Sequence, residues 1–204
     1  MAVANDGARI DGSKGTGPTM EDVAHAGTMQ LRPRLVVVLH WLTVLCLLLA
    51  AAVILVRTQA DGRPLRNGLL DVHRHLGLCV LFLFALRMAS RLRSGGLPGA
   101  ARSRWPMRAA AGLTHVALYA SILVLPLLGW MLSDAEDKPV RFLGLALPRL
   151  VQPDFDLADQ LQLWHRDAAW ALLALVLLHV SAALWHHFVR RDAVLRGMWP
   201  RWRR

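Results

Sequence analysis

The chain has 204 residues, of which 55% are hydrophobic and 19% charged, and its 24 Lys and Arg against 14 Asp and Glu give a formal net charge of +10. So high an apolar content excludes a disordered chain and argues against a nucleic-acid-binding protein. The apolar residues are concentrated in blocks, which is typical of a chain that crosses a lipid bilayer.

The first part of the chain divides into a polar lead and an apolar block. Residues 1–31 are Gly-rich and have no periodicity, which predicts a disordered cytoplasmic N-terminal tail. Residues 35–56 are 22 positions without Asp, Glu, Lys or Arg. Because a helix needs about 20 apolar residues to cross a bilayer, this block predicts the first membrane span. It lacks the short apolar core and the cleavage pattern of a signal peptide, so we expect it to stay in the membrane.

Three further apolar blocks follow, at residues 72–90, at residues 109–132 and from Trp164 to Trp185. The sequence therefore predicts an all-α fold, an integral membrane four-helix bundle. Its predicted domains are the tail of residues 1–31, a four-span membrane domain at 32–190 and a basic cytoplasmic C-terminal tail at 191–204.

Basic residues predict the orientation of the four spans, since basic loops are retained on the cytoplasmic side. Residues 1–34, 91–108 and 186–204 hold four, five and six Lys or Arg, whereas residues 57–71 and 133–163 hold three each. We therefore expect a multi-pass protein of the inner (cell) membrane with both termini cytoplasmic.

Histidines within the spans are the strongest functional signal, because ionisable side chains there are costly and mark function by default. His165 and His179 lie about 40° apart around one helix and about 21 Å apart along it. His73 shares the depth of His165, and His40 shares the depth of His179. Two axial imidazoles from facing helices are how a bundle holds haem b. The depths therefore predict two bis-histidine haem irons, bound by His73 with His165 and by His40 with His179. The absence of a CxxCH motif argues against covalent attachment.

The remaining histidines have more ordinary explanations. His25 and His75 are typical of interfacial or hydrogen-bonded residues. We expect His115 to donate a structural hydrogen bond between helices, and a position near a haem propionate is the alternative. His186 and His187 close the fourth span.

Taken together, these residues resemble the prokaryotic cytochrome b561 family over about residues 32–200. The similar stretches include Arg34-Leu35 through His40-Trp41; His73 with Gly77 and Arg87; His115 with Tyr119, Pro126, Gly129 and Trp130; Trp164-His165; and Leu178-His179 through His186-His187-Phe188 with Asp192. The resemblance implies a four-helix protein with two b haems, whose axial ligands lie on spans one, two and four. That placement agrees with the four histidines paired by depth.

The resemblance also implies an oxidoreductase that passes single electrons through the haems to a membrane quinone, with ubiquinone as acceptor and superoxide as a candidate donor at the outer face. Arg87, buried in span two without an acidic neighbour there, is expected to bind a haem propionate. We expect His186 and His187 to hydrogen-bond the quinone. Positive charge suited to an anionic donor is carried near the outer side by Arg57, Arg63, Arg66, Arg74 and Arg166. The alternative explanation is that these arginines are ordinary anchors at the membrane interface.

Two alternatives remain open from the sequence. The chain can be the haem b anchor subunit of a larger membrane dehydrogenase or hydrogenase, with the catalytic centre on a partner. It can also be a haem-free bundle whose histidines serve proton or metal transport. A nucleic-acid partner is not expected.

Overall fold

Four long helices make up almost all of the structure. The computed structural model describes residues 20–93 and 105–191, with side chains described at 35–93, 105 and 109–191. The helices are α1 (Met20–Gln59), α2 (Arg63–Arg93), α3 (Trp105–Ala135) and α4 (Phe155–Phe188). Each contains a stretch long and apolar enough to cross a membrane, and these stretches are Leu35–Gln59, Arg63–Arg93, Ala109–Ala135 and Phe155–Phe188. The predicted integral membrane four-helix bundle is confirmed.

The helices extend beyond the apolar blocks from which they were predicted. Helix α1 begins at Met20, so residues 20–31 of the predicted disordered tail are helical. A helix that is already nucleated adds residues at little cost, which explains why polar flanks continue the apolar spans. Residues 1–19 and 192–204, in the two predicted tails, lie outside the described residues.

The bundle is built from two antiparallel helix pairs. Helix α1 packs on α2, α3 packs on α4, and a smaller contact between α2 and α3 joins the pairs. No Cα atom of α4 lies within 8 Å of a Cα atom of α1 or α2 in the described part of the chain. Because directly packed helices lie about 8–10 Å apart between axes, α4 is set off from α1 and α2 by a gap. We call the end with the α1–α2 and α3–α4 connections the outer end, and the opposite end the inner end.

The α3–α4 connection folds against the outer end. It contains a short antiparallel hairpin of β1 (Arg141–Phe142) and β2 (Leu145–Ala146), an addition to the predicted all-α fold. Leu143 and Gly144 turn the hairpin with φ of 51° and 85°, as a type I′ turn requires. Asp134, only 1% exposed, accepts a hydrogen bond from the Leu150 backbone N–H at 2.8 Å.

A buried apolar layer occupies the middle of the bundle. Its core consists of Val80 from α2, Leu118 and Ile122 from α3, and Leu172 from α4. Along α4, Leu172 lies midway between His165 and His179, so this layer separates the outer end of the bundle from the inner end.

Candidate functional site

The outer histidine pair bridges the gap between α2 and α4. The ring centroids of His73 and His165 lie 6.2 Å apart, and their planes are nearly perpendicular at 80°. The Nδ1 of His73 lies 3.0 Å from the carbonyl oxygen of Ala50, and the Nδ1 of His165 lies 3.1 Å from that of Leu125. An Nδ1–H that donates to a carbonyl leaves Nε2 with a free lone pair, which is the arrangement of a metal-binding imidazole.

Helix α3 orients His165, although it provides no histidine to this pair. A Cβ atom added to Gly129 would lie only 3.1 Å from Cε1 of His165 and 3.4 Å from its Nδ1. Glycine at this position therefore lets the imidazole approach α3 closely enough to reach the Leu125 carbonyl. Pro126 lies inside α3 and cannot donate to the Ile122 carbonyl, which loosens the helix beside the histidines.

An apolar cavity opens directly onto the outer pair, and its empty space, counted together with the part open to the surroundings, is about 370 Å³. A Cβ atom added to Gly77 would meet nothing within 4 Å, so α2 leaves open space one turn from His73. The residues lining the cavity are Leu47, Ala50, His73, Gly77, Val80, Ile122, Leu125, Pro126, His165 and Leu172. The cavity thus combines two free imidazole nitrogens with walls that suit a flat apolar cofactor.

The inner pair bridges α1 and α4, but here the Nδ1 of His40 accepts a hydrogen bond instead of donating one. The ring centroids of His40 and His179 lie 6.5 Å apart, with 69° between the planes. Arg87 donates from Nη1 to Nδ1 of His40 at 3.1 Å, while its Nε is buried without a hydrogen-bond partner. Arg87, expected to bind a propionate, therefore lies in contact with a predicted iron ligand.

A third imidazole adjoins the inner pair. The His115 ring lies 5.5 Å from that of His179, and its Nδ1 faces the Ala111 carbonyl at 2.6 Å. That bond lies within α3, so the expectation that His115 would hydrogen-bond between helices is wrong. The His115 ring is exposed, and it bonds to the i−4 carbonyl of its own helix.

The separations of the two predicted pairs suit coordination of one metal by each pair. With metal–nitrogen bonds of about 2.05 Å and an imidazole ring radius of about 1.15 Å, two trans imidazoles on one metal have centroids about 6.4 Å apart. The pairs at 6.2 and 6.5 Å match this value, whereas His115 and His179 are too close at 5.5 Å. Among residues 20–93 and 105–191, no group of three or more His, Cys, Asp or Glu is arranged to hold a metal ion.

The other predicted site residues are more dispersed. His186 and His187 are half-buried at the inner end of α4, where His187 packs its ring on Phe188 and has a buried Nδ1 without a partner. Two of the outer arginines are neutralised by carboxylates, Arg74 by Asp71 and Glu136, and Arg166 by Asp167.

Arg57 lies at the outer end of α1 and donates from Nε to the Arg66 carbonyl at 3.2 Å.

The profile of prokaryotic cytochrome b561 matches residues 31–201 of the chain. The chain belongs to the prokaryotic cytochrome b561 family. It is 30% identical over 166 residues to a Yersinia pestis protein named "Probable superoxide oxidase CybB", covering 80% of this chain and 92% of that protein. It is also 30% identical over 165 residues to the Escherichia coli protein named "Cytochrome b561 homolog 1", covering 80% and 93%. A second Escherichia coli protein, "Cytochrome b561 homolog 2", is 30% identical over 130 residues, covering 63% and 69%.

Membership in the cytochrome b561 family makes the chain a multi-pass bacterial membrane protein of electron transport, and it implies b-type haem as cofactor. Sequence reasoning missed the partners that orient the rings, namely the carbonyls of Ala50 and Leu125 and the close approach at Gly129. The sequence offered one signal for them, a proline followed three residues later by glycine inside a predicted span.

Proposed function

We propose that the protein is a di-haem b cytochrome that carries electrons from a donor at the outer end, with superoxide as the candidate, to ubiquinone in the membrane. The observation that carries this proposal is the pair of histidine bridges across the gap between α4 and helices α1 and α2. Each bridge has the centroid separation that one metal between two imidazoles requires. The name of the Yersinia pestis relative supports the choice of donor.

Each haem b supplies reversible one-electron chemistry at its iron when bound. His40, His73, His165 and His179 would hold these two groups. At the outer site His73 and His165 present Nε2 while backbone carbonyls hold Nδ1, which raises the basicity of both rings. At the inner site His40 and His179 would be the ligands, and Arg87 places a positive charge beside them for a propionate.

The outer end supplies positive charge near the outer ligands. Arg57 has no ion pair among the described residues, and it lies at the outer end of α1 beside the Arg66 carbonyl of α2. A cationic group beside an apolar cavity attracts an anionic donor and raises its local concentration. This is the point at which we expect superoxide to approach.

The quinone is proposed to bind at the inner end. His187 has a buried, unpartnered Nδ1, and both His187 and its neighbour His186 lie two turns beyond His179 on α4. An imidazole N–H there can donate to a quinone carbonyl, and the apolar surface around it is open to the lipid. The inner end is proposed to face the cytoplasm because the basic segments 91–108 and 186–204 adjoin it. The division into a haem-binding domain at 32–190 and two flanking tails is likewise a proposal.

The experiment is a redox-titrated visible spectrum of the purified chain, with haem stoichiometry, followed by addition of superoxide and ubiquinone to the same sample. We expect two b haems with different potentials and superoxide-dependent reduction of ubiquinone. A purified chain without a sharp reduced α-band would refute every haem role proposed for it. Two haems without superoxide-driven quinone reduction would favour the alternative of an anchor subunit that receives electrons from a partner.

A further inference from the structure

Two arginines at the inner end share one aromatic ring. Arg87 and Arg91 lie one turn apart on α2, and the guanidinium carbon of each lies 5.5 Å from the ring centroid of Tyr119. Arg91 also donates from Nη1 to the Tyr119 hydroxyl. Tyr119, which lies on α3, therefore holds both guanidinium groups on the side of α2 that faces α3, and Arg87 also reaches His40.

No carboxylate of the described side chains lies near these two charges. Within residues 35–93 and 109–191, every acidic residue lies toward the outer end, and these are Asp61, Asp71, Asp134, Glu136, Asp137, Asp154, Asp156, Asp159 and Asp167. The five ion pairs found among the described residues likewise include neither Arg87 nor Arg91. Two like charges at the edge of a low-dielectric bundle repel each other, and anions bound beside them would offset this repulsion.

Arg87 also has a hydrogen-bond donor that is not used within the described residues. Arg87 uses Nη1 for His40, but its Nε is buried without a partner. A guanidinium group binds a carboxylate best through two parallel N–H groups. The edge of Arg87 that carries Nε is available to bind a carboxylate. The site therefore has two adjacent cations and a buried donor, in contact with a predicted iron ligand.

We propose that Arg87 and Arg91 each bind one of the two carboxylates of the inner haem, so that the carboxylate edge of this haem faces the inner end of the bundle. The inference rests on the proposed function and adds Arg91, its positioning by Tyr119 and the direction of the haem. Two guanidinium groups match two propionates in number. Because Arg91 lies one turn nearer the inner end than Arg87, a haem bound to both has its propionates toward that end.

An anionic lipid headgroup offers the same chemistry, since it also presents negatively charged oxygens. The contact between Arg87 and His40 favours the haem, because a group bound to Arg87 lies within one side chain of the proposed axial ligand. The experiment below separates the two sources.

The test compares haem b with its dimethyl ester, in which both carboxylates are neutral, during reconstitution of the full chain produced without haem. Each lost charge-assisted hydrogen bond lowers an equilibrium constant by about 10- to 100-fold, so the wild-type inner site should prefer haem over the diester by at least that factor. Arg91→Gln should reduce the preference by about tenfold or more and lower the inner-haem midpoint potential, because a lost positive charge favours the ferric form. Arg93→Gln, which removes the same charge two residues along α2, is the matched control and should leave both readouts unchanged.

An unchanged diester preference in Arg91→Gln would overturn the assignment of Arg91, even with both haems bound. If Arg91→Gln loses co-purified anionic phospholipid but keeps the preference for haem over the diester, the two arginines are assigned to lipid instead. Failure of the wild type to bind either porphyrin would refute the proposed function itself and the inference with it. If Arg91→Gln does not accumulate in the membrane, Arg91→Lys keeps the charge but loses the two-donor fork, and it should lower the preference in the same direction.

Discussion

Replacing Gly129 by alanine gives a sharp test of how α3 positions an axial ligand. The new Cβ would lie 3.1 Å from Cε1 of His165, which is closer than ordinary van der Waals contact, so the ring has to move away by a few tenths of an ångström. The same movement lengthens the 3.1 Å bond from the ring to the Leu125 carbonyl. Loss of such a partner typically lowers metal affinity by about 10- to 100-fold.

The same substitution should stabilise the helix backbone, although it weakens the binding of the metal. Alanine in a helix interior is more favourable than glycine by about 0.5–1 kcal/mol. Gly129→Ala should therefore retain or slightly increase the stability of the helix while weakening the outer haem. A general loss of folding cannot produce that combination, since it would lower both quantities together.

The assay is the rate of haem transfer from the purified chain to an acceptor protein, together with haem stoichiometry and thermal unfolding. Gly112→Ala, on the same helix and with nothing within 4 Å of the added Cβ, is the matched control and should keep both haems. If Gly129→Ala retains its outer haem as firmly as the wild type, the proposed positioning of His165 by α3 is refuted.

Three other predictions follow from the same structure. His165→Ala should remove mainly the outer haem and His179→Ala mainly the inner one, and haem stoichiometry showing two haems in either variant would reject the ligand assignment. Arg87→Ala should lower haem retention or shift the inner-haem potential, because it removes the charge beside His40, and an unchanged redox titration would count against a propionate contact. Asp154→Ala should destabilise the outer start of α4 by about 1 kcal/mol, because its side chain accepts two backbone N–H bonds at 3.0 Å there. Thermal unfolding measures this effect, and a midpoint equal to that of the wild type would show that the cap contributes nothing.

The sequence by itself determined the number of spans and the depths of their histidines. Four charge-poor blocks are sufficient for four membrane helices, because every backbone polar group must be satisfied within the bilayer. Helical periodicity then places His165 and His179 on one face of α4, and the alternating direction of the spans gives His73 and His40 the matching depths. The structure brings both of these pairs together.

Rotation of the helices about their own axes and the width of the gaps between them were decided only by the tertiary structure. Periodicity fixes where a side chain lies on its own helix, but it does not say which neighbour that face meets. Only packing revealed the separation of α4 from α1 and α2, the carbonyls that orient His73 and His165, and the placement of Arg87 on His40. His115 illustrates the limit, because its depth alone could not distinguish a bond between helices from the bond within α3 that it makes.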